Sequence, residues 1–166
     1  MMQAKKYPLG IQTFSETLVK HYAANNLCAF DDIVLAYANH MLANEDVAAF
    51  LPHLKVFYDK FPYTVINNNE RHYQAVMFTI FSMLGAHVQV EEPTPDGRID
   101  MVQETDQTIY IFELKYNKTA ADAMAQIEQK DYTRKFVSDS RRIVKVGLNF
   151  SEDRRSLEEW SVEAEK

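Results

Sequence analysis

The sequence predicts an α/β fold whose core runs helix, three-stranded meander, helix, strand, with a helical extension in front. Three observations predict it. Apolar residues recur at three- and four-residue spacing before position 85, they alternate in the strand manner from 87 onward, and an Ala- and Gln-rich helical pattern at 119–137 separates two strand regions. The 166 residues suit one domain, or one domain with an extension. No repeat, low-complexity tract or clear linker is visible. We take 1–62 as the N-terminal helical extension and 63–166 as the core.

In the extension, Phe14, Leu18 and Tyr22 fall at helical spacing, and Thr13 with Glu16 forms a capping pair. Asp31 or Asp32 is expected to cap a second helix through Val34, Tyr37, Ala38, Met41 and Leu42. Asp46 is expected to open a third, through Phe50, Leu54, Phe57 and Tyr58, with Pro52 as a break or kink. Pro62 interrupts the pattern, and Asn67 to Asn69 mark a loop and a helix start. A strong helix follows over Glu70–Leu84. Tyr73, Val76, Met77, Ile80, Phe81 and Leu84 form its apolar stripe, and Gly85 stops it.

His87 to Glu91 reads as the first strand, with Val88 and Val90 on one face, and Pro93 to Gly97 as turn material. Arg98–Glu104 and Thr108–Leu114 read as a hairpin around Asp106 and Gln107. Arg141–Phe150 reads as the next strand, and Ser156–Glu163 as a short last one through Trp160 and Val162.

Composition excludes several classes. There is one cysteine, Cys28, so no intramolecular disulfide can form, and its apolar neighbours mark it as a buried structural thiol. No apolar run of about 20 residues is present, so no transmembrane helix is expected. Met1 to Gly10 lacks a signal-peptide core. These features point to the cytoplasm, with no membrane partner. The net charge of −6 argues against tight nonspecific DNA binding but leaves room for a local basic stripe. His21, His40, His53, His72 and His87 show no zinc spacing and read as structural. No Ser-His-Asp pattern or nucleotide-binding glycine loop is visible.

The chemistry sits in the hairpin. Strand side chains alternate faces, so Arg98 and Asp100 share one face, Ile99 and Met101 the other, and Glu113 shares a face with Lys115. A hairpin centred between Asp106 and Gln107 sets Asp100 opposite Glu113 and Arg98 opposite Lys115, about 5 Å apart at Cβ. A one-residue slip would send the carboxylates to opposite faces. Two facing carboxylates repel unless one is protonated or a cation lies between them. Magnesium, or manganese, is the cation that such oxygens prefer. Lys115 reaches the same pocket, where it can neutralise a phosphate or help deprotonate a water. Charged residues on a hairpin face ordinarily form a solvated surface of ion pairs. Here Ile109, Ile111, Phe112 and Leu114 make the second strand nearly continuously apolar, as in a central strand buried on both faces.

Gly97-Arg98-Ile99-Asp100 followed by Phe112-Glu113-Leu114-Lys115 resembles the PD-(D/E)xK nuclease superfamily, whose restriction-endonuclease-like core has the element order read above. The match is closest to the nuclease-like C-terminal domain of bacterial proteins carrying an AAA-type ATPase-like domain. Asn69-Glu70 with Tyr73, and Gln126-Ile127 leading to Tyr132, complete that pattern over residues 69–150. The resemblance implies Asp100 and Glu113 as metal ligands, Lys115 as the catalytic lysine and the Leu114 carbonyl as a further ligand. Glu70 is either an additional acidic ligand or a carboxylate stabilised by the helix dipole. Gln126 either points into the site or is an ordinary exposed helix residue.

There are departures. Ile99 replaces the superfamily's proline, and Pro95-Asp96 lies four residues too early to face Glu113. On one continuous helix Gln126 and Tyr132 are about 240° apart, so Tyr132 reads as packing. Lys130, Arg134, Lys135, Arg141, Arg142 and Lys145 form either a phosphate-contact surface or a solvated face.

The expected function is a magnesium-dependent nuclease acting on DNA. The alternative is a non-catalytic nucleic-acid- or protein-binding regulatory module of the same fold, with an ATPase partner in cis or in trans. A structural domain with a relict site is a third possibility.

Overall fold

Asp46 accepts a hydrogen bond from the Ala49 N–H at 3.0 Å, and Asn69 accepts one from the His72 N–H at 2.9 Å. These two caps open the helices expected to follow them. The structure, a computed structural model, describes residues 27–60 and 67–165. The helix through Phe14, Leu18 and Tyr22, its Thr13–Glu16 cap, His21, Pro62 and the Cys28 side chain lie outside the described residues.

Helix α1, Leu27–Ala36, widens into a π-helical segment over Tyr37–Ala43. Asp31 and Asp32 therefore fall inside the helix rather than at its start. Its buried face is Ile33, Ala36, Tyr37 and Met41, while Val34 and Leu42 are exposed. A π turn holds more residues than an α turn. That widening rotates the later positions and takes Ala38 and Leu42 off the core face. Helix α2, Val47–Asp59, runs through Pro52 without ending. Helix α3, Glu70–Met83, buries the predicted stripe from Tyr73 to Phe81, while Leu84 is its half-buried C-cap and Gly85 beyond it takes φ 76°.

The sheet has five strands in sequential order. Strands β1 (His87–Thr94), β2 (Gly97–Glu104) and β3 (Thr108–Tyr116) form an antiparallel meander. Helix α4, Ala120–Gln129, crosses over to β4 (Arg142–Ser151), which lies parallel to β3. Strand β5, Ser156–Ala164, returns antiparallel along β4 and is longer than expected. Strand β3 is buried from Thr108 through Lys115, as a central strand covered on both faces must be.

One face of the sheet packs on α1 to α3. Tyr73 of α3 stacks on Phe150 at 4.5 Å, and Tyr58 of α2 meets the same ring edge-on at 5.0 Å. Such aromatic pairs contribute about 1 kcal/mol each beyond area burial. This cluster takes side chains from both 1–62 and 63–166. The Glu45 carboxylate ties the two parts by accepting from Thr105 at 2.8 Å and from Tyr110 at 3.1 Å. The other face carries Ile99, Val102, Ile109 and Ile111 against Ile127 and Tyr132.

Helix α4 is shorter than the pattern at 119–137 predicts. A Thr119–Asp122 capping box opens it, but it ends at Gln129. Asp131 takes φ 47°, and a 3₁₀ segment follows over Tyr132–Phe136. Its approach to the sheet depends on Gly147. A Cβ there would lie 2.7 Å from the Ala120 carbonyl oxygen and 3.0 Å from Ala123 Cβ. Overpacking of this kind costs about 1–3 kcal/mol. Gly147→Ala is therefore expected to lower the urea unfolding midpoint, and Gly147→Val to lower it further. Midpoints equal to wild type would show that the contact yields freely.

Candidate functional site

The β2–β3 hairpin pairs Met101 with Phe112 through Glu104 with Ile109. That is the register of a turn centred between Asp106 and Gln107. The ladder stops at Met101, and β2 turns away over Asp100. There the Asp100 Oδ2 accepts from the Leu114 N–H at 2.8 Å, next to Glu113. Strict alternation fails where the ladder ends. Ile99 packs with Ile109, Ile111 and Tyr132, while Met101 lies in the other cluster. Arg98 does not face Lys115 but pairs with Glu91 at 2.9 Å.

Glu113 and Lys115 share the buried face of β3, with 1% and 6% of their surface exposed. The Lys115 ammonium donates to Glu113 Oε1 at 2.6 Å and to Gln126 Oε1 at 2.8 Å. The Gln126 Nε2 donates to the Tyr132 hydroxyl at 3.2 Å, which donates to the Arg98 carbonyl at 2.7 Å. The positive end of this chain orients each following donor. Tyr132 is buried, as expected of packing, yet it also meets Gln126. A separation of about 240° holds only on one continuous helix. The left-handed residue Asp131 swings the chain back so that both side chains reach one place.

Burial and mutual repulsion set the electrostatics. Burial pushes the Glu113 carboxyl up to about 8, helped by the charge of Asp100 and opposed by Lys115. Burial pushes Asp100 up to about 6, opposed by the Leu114 N–H and raised further by Glu70 and Glu91. Lys115 is itself raised. Burial pulls it down, but its hydrogen bond to Glu113 and that residue's charge outweigh this. The upward shifts of Glu113 and Lys115 pull in opposite senses, since one disfavours and the other favours an ionised Glu113. The 2.6 Å contact with the ammonium limits the upward shift of Glu113 without reversing it. The remaining repulsion then places a proton on the carboxylate pair well above the ordinary range.

Glu70 stands at the first position of α3, and its charge acts on Asp100, Glu113 and Lys115. Gln74, one turn later, donates to the Asp100 carbonyl at 2.8 Å and to Glu91 at 3.1 Å. The Leu114 side chain packs in the main core, so only its backbone belongs to the site.

The donor set fits a hard cation. Glu113 Oε2 is buried without a hydrogen-bond partner, and a buried carboxylate oxygen left unsatisfied is costly. Among the described residues no three His, Cys, Asp or Glu side chains form a complete metal cage. A cation held by the carboxylate pair would keep waters, as magnesium does.

The six basic residues do not act as one surface. Lys145 is buried and paired with Glu128, Glu163 and Glu165. Arg141 binds Asp139 and Glu104, and Arg142 donates to the Glu45 carbonyl at 2.7 Å. Lys135 binds Glu92 and the Pro93 carbonyl. Lys130 and Arg134 are exposed. Of the histidines, His72 is buried with its pKa lowered by desolvation, and His40 stacks on His53 at 5.2 Å.

Gln74, Glu91 and Gly147 escape a reading of the sequence. The four-residue step from Glu70 is a signal for Gln74, and an isolated glycine inside a strand pattern is one for Gly147. Glu91, at φ 53°, carries no local signal.

A carboxylate pair on a broken hairpin, a lysine two residues on and a glutamine from the crossover helix meet in one place. The family model of the PD-(D/E)XK nuclease superfamily matches residues 68–160, more than half of the chain, and the chain belongs to that superfamily. Its members typically use divalent metals. An uncharacterized protein in the vnfD 5′ region of Azotobacter chroococcum mcd 1 is 32% identical over 115 residues. The match takes in 65% of this chain and spans 22% of the length of that relative. Among the described residues no helix is long and apolar enough to cross a membrane.

Proposed function

We propose that this chain is a magnesium-dependent nuclease that hydrolyses DNA phosphodiester bonds, with manganese able to substitute. The observation that carries the reading is the buried, unpartnered Glu113 Oε2 beside Asp100, with Lys115 bonded to the same carboxylate. Asp100, Glu113 and the Leu114 carbonyl would hold the cation, with Glu70 as an outer acidic ligand. A divalent cation there lowers the pKa of a water and stabilises charge on phosphate oxygens. Lys115, held as an ammonium, would orient the attacking water and neutralise the phosphate, with the acidified water losing its proton to solvent. Gln126 fixes the Lys115 ammonium, so the lysine is already aimed before substrate arrives.

Membership of the superfamily supports nuclease chemistry, while the choice of DNA, magnesium and a cytoplasmic location belongs to our reading. So does the assignment of 1–62 as an extension of the 63–166 core. The Gly-Arg-Ile-Asp and Phe-Glu-Leu-Lys pattern supports an association with an AAA-type ATPase, in cis in a longer parent or in trans.

The test is metal-dependent cleavage of single-stranded, linear, nicked and branched DNA, with wild type set against Asp100→Ala. Wild type is expected to cleave at least one substrate with magnesium or manganese, and the variant none. Equal traces for the two proteins on every substrate would falsify the reading.

A further inference from the structure

Arg98 on the β1–β2 hairpin and Lys130 at the C-terminal end of helix α4 are both exposed. Arg98 is two residues from Asp100, and its side chain is 65% exposed. The Lys130 stem runs along Gly97, with Cδ 3.9 Å from where a Cβ on that glycine would be. The neighbouring cations are committed: Lys115 to Glu113 and Gln126, Lys135 to Glu92 and Pro93. The Arg98 backbone is anchored too, because its carbonyl receives the Tyr132 hydroxyl that ends the chain from Lys115. An exposed guanidinium thus projects from an anchored backbone two residues from Asp100.

What it meets there is an anion. Glu91 Oε2 lies 2.9 Å from Arg98 Nη1, while Oε1 accepts from Gln74. Glu91 is held in the left-handed region at φ 53°, a backbone conformation strained for a non-glycine residue. Exposed ion pairs contribute little, so an exchange of this carboxylate for a phosphate is cheap. The replacement offers Arg98 a bidentate, charge-assisted contact.

We propose that Arg98, assisted by Lys130, receives the nucleic-acid backbone phosphate next to the reacting one, and that Glu91 is the internal anion which that phosphate displaces. The proposal rests on the nuclease reading for its choice of ligand, but it concerns binding rather than cleavage. It also accounts for how a chain of net charge −6 meets a polyanion. The contact is local, and Glu91 guards it.

The experiment is fluorescence anisotropy with a labelled DNA duplex and single strand in EDTA, across a salt series. Wild type, Arg98→Ala, Arg98→Lys, Lys130→Ala and Glu91→Gln are compared, with thermal melts to confirm folding. Arg98→Ala is expected to weaken binding about tenfold and to lower the log–log salt slope by about one, with the slope restored in Arg98→Lys. Lys130→Ala is expected to show a smaller loss, and Glu91→Gln tighter binding. Arg98→Ala and Glu91→Gln with wild-type affinities, or no DNA binding by wild type, would overturn the proposal. A cleavage assay separates the two claims. Binding that follows these variants without any cleavage sinks the catalytic reading alone. Cleavage with an unchanged KM in Arg98→Ala sinks this proposal alone.

Discussion

Lys115→Met is expected to reduce metal-dependent cleavage on the order of 10³-fold while leaving divalent-cation binding intact. Methionine keeps the volume and the buried stem of the lysine, so the variant isolates the ammonium. In the protein that ammonium is 2.6 Å from Glu113 and 2.8 Å from Gln126. Without it Glu113 loses the group that opposes its upward shift. Breaking a buried pair in this way costs about 3–5 kcal/mol if the partner stays charged. The carboxyl instead takes a proton, or a cation restores the balance. Divalent-cation affinity measured by calorimetry at alkaline pH is therefore expected to equal or exceed that of wild type. Asp100→Ala should lose both binding and cleavage. Near-wild-type turnover in Lys115→Met would remove the lysine from the chemistry.

The contrast between those two variants depends on local geometry that was only partly legible beforehand. The hairpin register was readable because the side-chain period is two and the turn residues Asp106 and Gln107 fix its centre. The end of the ladder was not. Whether β2 continues beside β3 past Met101 depends on Asp100 taking the Leu114 N–H and on Gln74 taking the Asp100 carbonyl. The first of these contacts joins residues 14 apart in the chain. The stripe of α3 was legible from spacing alone, whereas the phase of α1 was lost to the π-helical segment over Tyr37–Ala43. Lys130, Arg134, Lys135, Arg141, Arg142 and Lys145 looked like one patch because sequence shows a charge but not its partner. Glu128, Glu163 and Glu165 internalise Lys145, while the stem of Lys130 lies along the hairpin. Gln126 and Tyr132 meet only because one residue, Asp131, reverses the handedness of the backbone between them.

Glu113→Gln is expected to stabilise the metal-free protein at alkaline pH while abolishing its stabilisation by magnesium. The folded carboxyl sits near 8 against an ordinary value of 4.5. Between those values the folded state holds a proton that the unfolded chain has released. Stability from this group is therefore lost as pH rises from about 4.5 to about 8, and the loss is complete above that. Asp100 adds a loss of the same sign between 3.8 and about 6. Glutamine removes the Glu113 part. The variant's advantage should be near zero at pH 4.5 and grow to at most about 5 kcal/mol by pH 8.5, on the order of 10 °C in Tm for a chain of this size. His72, lowered by burial, acts on the acid side in both proteins and cancels in the difference. Magnesium supplies by binding what glutamine supplies by neutrality, so it should raise the wild-type Tm at pH 8.5 and leave the variant unmoved. A variant less stable than wild type in EDTA at pH 8.5 would mean that Lys115 alone satisfies Glu113. The buried oxygen Oε2 would then need no cation, and the carboxylate pair would be a structural ion-pair site rather than a metal centre.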